Sequence, residues 1–450
     1  MTLRQRLTGL IGTVGLILTT PALAHTHHHP VHHIKPKALH YNATPIIASQ
    51  VSTVPATYSP QGLANEISFL ISKNNRGADI GVYVKSMQRG DVLYNLRSQN
   101  SFTPASTMKV LTAESALLYL GPNYRFATQL LTDATKIASG TLQGNLYVVL
   151  SGDPTLTAAD LTTLIGTLKT RQISRIAGNV YIDETAYDQN DYGPDWSASD
   201  EGYCYGAPIS AGIIDHNCVI SKNASVVINN VNEYDREFIQ TLLHHESITV
   251  TGTVALAPAR GHLALLAQHA SAPLPVLITT MLKKSDNIIA GALFKKLGEL
   301  YTRQPGSWKN GSLAVQGILA KYTGVNLASV RVLDGSGLSP DNLVQPAQLL
   351  HVLDFAYHNP NTAPYLINAL PIAGIDGTLK HRLYPVARRV HAKTGTLLHT
   401  GVSALAGYAT TNRQETLAFV IMVNSGNSQG WRYRDLIDQI TTALVRFDRA

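Results

Sequence analysis

Cysteine is nearly missing from this 450-residue chain, which has only Cys204 and Cys218. Two cannot build a multi-bridge disulfide scaffold, and no histidine cluster beside them suggests a metal site. Fourteen positions apart, they suit either one loop-closing disulfide or two buried thiols. Charge is also sparse, at 14% of residues against 44% hydrophobic. That balance excludes a disordered or fibrous chain and allows two or more domains with ordinary cores. No basic run interleaved with aromatics argues for nucleic acid. Beyond the first two dozen residues, charge, Gly or Pro breaks every long apolar run within the length of a membrane span. No internal repeat is found.

The opening MTLRQRLTGLIGTVGLILTTPALAH pairs Arg4 and Arg6 with an uncharged apolar stretch and then Ala22-Leu23-Ala24. This is the pattern of a secretory signal peptide, residues 1–24, and predicts export to the periplasm with no transmembrane segment left after its removal. No cysteine follows the small-residue site to take a lipid. Losing two arginines and no acids lowers the formal charge from +7 to +5. That excess favours loose association with an acidic envelope polymer such as a cell-wall glycan. Residues 25–58 begin HTHHHPVHHIKPKALH and continue in Thr, Ser, Ala and Pro, so they are expected to be a disordered leader. Its histidines either hold Zn, Ni or Cu or form a solvated tail.

Order is expected from Ser59-Pro60, where an N-cap and a first-turn proline precede Leu63, Ile67, Leu70 and Ile71 at helical spacing. IGVYVKS and DVLYNLRS read as a hairpin, FVIMVN (419–424) as a buried strand, and WRYRDLIDQITTALVRF as a closing amphipathic helix. Both ends therefore suit helices packed on one antiparallel sheet. Between them, residues 122–269 alternate short strands with Gly-, Asp- and Pro-rich loops, and read as a β-rich inserted domain. The expected architecture is α+β and multi-domain: 59–121 and 270–450 form one domain, interrupted by 122–269.

Three short words could carry chemistry. PASTMK (104–109) places Ser106 in the first turn of an apolar helix, with Lys109 one turn on and on the same face. A serine hydroxyl becomes nucleophilic when a base takes its proton, and an enclosed lysine with a lowered pKa can do that. Alone, the hexapeptide reads better as a first-turn serine beside a solvated lysine. KTGT (393–396) sits among β-branched residues, where Lys393, Thr394, Gly395 and Thr396 suit a carboxylate at a strand edge. SDN (285–287) is weaker, because Ser-x-Asn also begins at Ser72, Ser98, Ser221 and Ser425. Of the two copies lying between the other words, only Ser285 has a helical setting.

The order SxxK, SxN, KTG is the signature of penicillin-binding proteins and serine β-lactamases. With LGPNYRFAT, GNLYVVLSGDPTL, DGSGLS (334–339) and GIDGTLKHR (374–382), the chain resembles the class C low-molecular-mass penicillin-binding proteins. These are the D-alanyl-D-alanine carboxypeptidases/endopeptidases of peptidase family S13. The 179 residues from Ser106 to Ser285 fit the place where that family inserts extra domains, here enough for one.

The resemblance implies a β-lactamase/transpeptidase-like fold, peptidoglycan as substrate, β-lactam antibiotics as acylating inhibitors, and neither cofactor nor metal. It assigns Ser106 as nucleophile, Lys109 as base, Ser285 as proton relay and Asn287 as holder of the substrate's amide chain. Lys393 and Thr394 would bind the carboxylate, with the N–H groups of Ser106 and Thr396 as oxyanion hole. Asp334, Ser336 and Asp376 are expected to cap or fix glycine turns, Asp153 to shape a turn, and Arg382 to make an ion pair rather than bind substrate. Two competitors remain: a β-lactamase, although no Glu-x-x-x-Asn follows SDN to hold a deacylating water, and a non-catalytic wall-binding scaffold.

Overall fold

A computed structural model describes residues 59–449 except 221–223 and 427–429. The expected signal peptide and the histidine leader lie outside the described residues. Ser59 caps helix α1 (Pro60–Asn74), its hydroxyl accepting from the Gly62 N–H at 3.0 Å, and Leu63, Ile67 and Ile71 are buried. The hairpin β1 (Asp79–Ser86) and β2 (Val92–Leu96) follows, and then helix α2 (Lys109–Leu120). The chain continues through β3 (Ala127–Thr132), β4 (Leu146–Val149), α3 (Ala158–Thr170), β5 (Val180–Asp183), α4 (Val231–His245), β6 (Val254–Leu256) and β7 (Ala264–Ala270). Helices α5 (Leu274–Lys284), α6 (Asn287–Thr302), α7 (Trp308–Thr323) and α8 (Pro346–His358) come next. Strands β8 (Val390–Leu397), β9 (Val402–Thr410) and β10 (Thr416–Asn424) and helix α9 (Arg434–Arg446) complete it.

The two ends of the sequence build one sheet of order β8-β9-β10-β1-β2, antiparallel throughout. Asp79 pairs with Asn424 and Val82 with Ile421. Alternation along β10 feeds two cores. Leu417, Phe419, Ile421 and Val423 pack with α1 and α9, whereas Ala418, Val420 and Met422 pack with α2, α6 and α8. This explains why FVIMVN lacks a polar alternate: neither face meets water. Helix α2 is buried from Lys109 to Leu117, as its apolar content on every side predicts.

Residues 127–270 contribute a separate five-stranded sheet of order β6-β5-β4-β3-β7, parallel among β6, β5 and β4 and antiparallel at β3 and β7. This stretch also holds the 13-residue α3 and the 15-residue α4, which the reading as short strands and loops did not anticipate. Their signals were present. Leu161, Leu164, Ile165 and Leu168 repeat at helical spacing behind a Thr157–Asp160 capping box. Cys204 and Cys218 are joined in a disulfide with their Cα atoms 5.4 Å apart. No helix among the described residues is long and apolar enough to cross a membrane.

Candidate active site

The site forms where the turn before α2, the junction of α5 and α6, the DGSGLS loop and edge strand β8 meet. Ser106 does not lie in α2 itself. Ala105–Met108 form a 3₁₀ turn, and the α-helix begins at Lys109. Ala105 has φ +47°, a conformation that L-residues pay to adopt, so its surroundings must hold it. Two glycines make room. A Cβ on Gly395 would come within 2.7 Å of the Pro104 carbonyl oxygen, and one on Gly337 (φ +78°) within 1.9 Å of that of Ala105. The glycine of KTG and the second glycine of DGSG thus let the backbone before Ser106 press in.

Lys109 is fully buried. Its Nζ donates to Ser106 Oγ at 3.0 Å, Asn287 Oδ1 at 2.6 Å and the Ser336 carbonyl at 2.7 Å. Burial lowers its pKa to about 7, against the opposing pull of Asp334 and Asp286. Asn287 Nδ2 donates to the Tyr205 carbonyl at 3.0 Å, so both ends of this amide are engaged before any substrate arrives. Three donated bonds are those of the ammonium; with the pKa brought to about 7, the deprotonated amine can keep the bonds to Asn287 and the Ser336 carbonyl and turn its lone pair to the Ser106 hydroxyl.

Ser285 terminates α5 in the left-handed region (φ 59°, ψ 38°), and Asp286 caps α6 by accepting from the Ile289 N–H. The word SDN is therefore a helix break, not a helical segment. The break turns the Ser285 hydroxyl toward β8, where Lys393 Nζ donates to it at 2.9 Å and to the Thr394 carbonyl at 2.7 Å. Lys393 is also fully buried, and burial and then the charge of Lys109 hold its pKa well below the lysine range. Gly395 and Thr396 follow on the strand, Thr396 opposite Ser403. The eight expected residues, Ser106, Lys109, Ser285, Asn287, Lys393, Thr394, Gly395 and Thr396, converge from three separated parts of the chain.

This is the arrangement of SxxK, SxN and KTG around one hydroxyl, and the matching family model is that of the D-Ala-D-Ala carboxypeptidase 3 (S13) family, over residues 63–226 and 221–444. The chain belongs to this family. It is 32% identical to the D-alanyl-D-alanine carboxypeptidase DacB of Haemophilus influenzae, over 85% of this chain and 92% of that protein. It is 30% identical to the D-alanyl-D-alanine carboxypeptidase of Actinomadura sp. strain R39, over 78% of each. The crystal structure of penicillin-binding protein 4 from Haemophilus influenzae matches with a TM-score of 0.77 at 32% identity, covering 84% of this chain and 98% of that one.

The residues expected to be structural behave so in this S13 chain. Asp334 is buried and accepts from the N–H groups of Ser336, Gly337 and Ser339, from the Ser336 hydroxyl and from Trp196 Nε1. It thereby fixes the loop whose Ser336 carbonyl holds Lys109. Asp153 accepts from the N–H and hydroxyl of Thr155, shaping its turn. Arg382 pairs with Asp438 of α9 at 2.6 Å and lines a separate cleft of about 720 Å³ with Glu66, Tyr384 and Arg446. Asp376 pairs with Lys283 at 2.7 Å and accepts from the Ile372 N–H. Thr378 was not singled out from the sequence. Its hydroxyl lies 2.8 Å from that of Thr394, a proximity that GIDGTLKHR cannot reveal because Thr394 is 16 residues away.

Proposed function

We propose that this S13-family chain is a serine DD-peptidase of peptidoglycan. It removes terminal D-alanine from stem peptides, or cleaves D-alanyl cross-links, through a Ser106 acyl-enzyme, and penicillins acylate it. The observation that carries this reading is Lys109 Nζ at 3.0 Å from Ser106 Oγ, with a pKa brought to about 7 by burial. Ser106 Oγ attacks the carbonyl carbon between the two D-alanines while its proton passes to neutral Lys109. The N–H groups of Ser106 and Thr396 receive the oxyanion. As the C–N bond breaks, Ser285, held by Lys393, relays to the leaving amine the proton that Lys109 took from Ser106, so that Lys109 is neutral again for the second half of the reaction. Water then attacks the acyl carbon, and Ser106 recovers its proton.

In this scheme Lys393, Thr394 and Thr396 receive the substrate carboxylate, with Gly395 permitting close approach. Asn287 orients Lys109 and offers its amide to the substrate chain in exchange for the Tyr205 carbonyl. Residues 59–121 and 270–450 serve as the transpeptidase-like domain and 122–269 as the insert, a division supported by the two separate sheets. The opening signal pattern supports a periplasmic location, where peptidoglycan is within reach. The test is labelling of purified protein by fluorescent penicillin together with mass spectrometry of muropeptides. A persistent label absent from Ser106→Ala, with release of D-alanine, is expected. Rapid turnover of a cephalosporin would favour a β-lactamase, and a folded protein taking no label would favour a scaffold.

A further inference from the structure

Asp334 is fully buried, and its two carboxylate oxygens accept five hydrogen bonds. Four come from the loop it belongs to: the N–H groups of Ser336, Gly337 and Ser339, at 2.8, 2.5 and 2.7 Å, and the Ser336 hydroxyl at 3.0 Å. The fifth comes from outside. Trp196, more than a hundred positions away in the long middle stretch, donates its indole N–H to Asp334 Oδ2 at 2.8 Å. The surroundings fix this indole. Gly193 makes room for it, because a Cβ there would stand 2.2 Å from Trp196 Nε1. The backbone N–H of Trp196 closes the turn on the Gly193 carbonyl at 3.3 Å, through Asp195 in the left-handed region (φ +59°). The Trp308 ring of α7 lies 5.6 Å from that of Trp196, and both are buried.

The loop that Asp334 holds also serves the base. Its Ser336 carbonyl accepts from Lys109 Nζ at 2.7 Å, and its Gly335 carbonyl accepts from the Thr112 hydroxyl of α2 at 2.7 Å. Three elements bring charge to Lys109. Asp334 on this loop and Asp286 at the start of α6 favour its ammonium, and Lys393 on β8 shares like charge with it. In a dry interior a carboxylate acts strongly on its neighbours, so the donors that compensate it decide how much of its field remains. Of the five donors on Asp334, only the indole is independent of the loop. We propose that Trp196 is a positioning residue for the base: its indole N–H fixes and partly compensates the Asp334 carboxylate, and so sets how the DGSGLS loop acts on Lys109. This rests on the DD-peptidase reading above and adds to it a residue of the middle stretch that tunes acylation.

The test is the pH profile of penicillin acylation for wild type, for Trp196→Phe, and for a protein carrying the benzothienyl analogue of tryptophan in place of Trp196. The analogue keeps the bicyclic shape and puts sulfur where the N–H was. Each change is also made in an Asp334→Asn background. Without the N–H, Asp334 acts more strongly on the ammonium, so the pH of half-maximal rate should rise by about half a unit, a fraction of the roughly 1–3 units that a whole neighbouring charge produces. Below the plateau this reads as an about threefold slower rate. Asp334→Asn should itself lower the midpoint, and neither change at Trp196 should then move it further. Thermal melts certify that each variant is folded, and where Phe or Asn prevents folding, the benzothienyl protein in the otherwise wild-type chain decides. A benzothienyl protein with the wild-type midpoint, a shift toward acid, or an equal shift in both backgrounds would overturn the assignment. A folded wild type that penicillin does not acylate would overturn the underlying DD-peptidase reading as well.

Discussion

In the proposed mechanism Ser106 attacks only while Lys109 is neutral, and burial, which brings the pKa of this lysine to about 7, makes the neutral form accessible. Protonated Lys109 cannot accept the serine proton, so the second-order rate of acylation by penicillin should rise about tenfold per pH unit up to about pH 7 and level off above it. Substituting Lys109→Arg installs a group that stays charged throughout, and should cut the rate by about 10²–10⁴-fold with no recovery at high pH. Stopped-flow acylation from pH 5 to 9 checks both. A wild-type profile still climbing at pH 9 would show that burial does not tune this lysine. Lys393 responds in the opposite sense: its pKa is lowered partly by the charge of Lys109, so deprotonating Lys109 makes it easier for Lys393 to stay charged and face a carboxylate.

Among the elements, β5 and α4 meet through two acids. Asp235 on α4 is fully buried, and burial and the nearby Glu184 push its pKa well above the carboxylate range. Glu184, just after β5, is raised to about 7, first by burial. A Cβ on Gly212 would collide with the Asp235 carboxyl, so the pocket is closed around these groups. Because the folded state holds both protons more tightly than the unfolded chain, this contribution is complete below the unfolded carboxylate range near pH 4. It is lost as pH rises toward and beyond 7. The melting temperature of wild type should therefore fall over that window. Asp235→Asn, neutral at every pH, should flatten the fall, as calorimetry across pH 4 to 9 would reveal. Parallel curves for the two proteins would remove the pair as the cause.

Over the whole molecule, the long middle stretch of the chain reaches back to the site, where the Tyr205 carbonyl accepts from Asn287. Lys295 of α6 donates to Asp188, to the Asn190 carbonyl and to the Ile209 carbonyl, tying α6 to the loops of the long middle stretch. The Tyr205 carbonyl meets Asn287 in a segment closed by the Cys204–Cys218 disulfide. Closing a loop of this length removes unfolded-chain entropy worth about 3 kcal/mol. Denaturant unfolding with and without reductant should show a lower midpoint on reduction, by an amount reproduced in the double variant Cys204→Ser/Cys218→Ser. An unchanged midpoint would mean that the bridge lies in a part that unfolds separately. The coupling to Asn287 also predicts slower acylation of the reduced protein.

What could be read directly were the features that local patterning determines. Leu63, Ile67 and Ile71 specify α1 by period, FVIMVN specifies a doubly buried strand by having no polar alternate, and SxxK, SxN and KTG specify a chemistry by their order. The helices α3 and α4 were equally legible and were obscured by their Gly- and Asp-rich flanks. Other features depended on distance through space. That Ser285 ends one helix and Asp286 begins another follows from how α5 and α6 pack. The union of Cys204 with Cys218 depends on their Cα atoms arriving 5.4 Å apart. The lowered pKa of Lys109 depends on burial by residues more than a hundred positions away, and Gly337 bears on the Ser106 turn only because its loop touches Ala105. Sequence order determined which groups were available. Tertiary packing alone decided which were dry, which were paired, and where each hydroxyl points, because desolvation and hydrogen-bond direction arise from neighbours that the chain brings together only on folding.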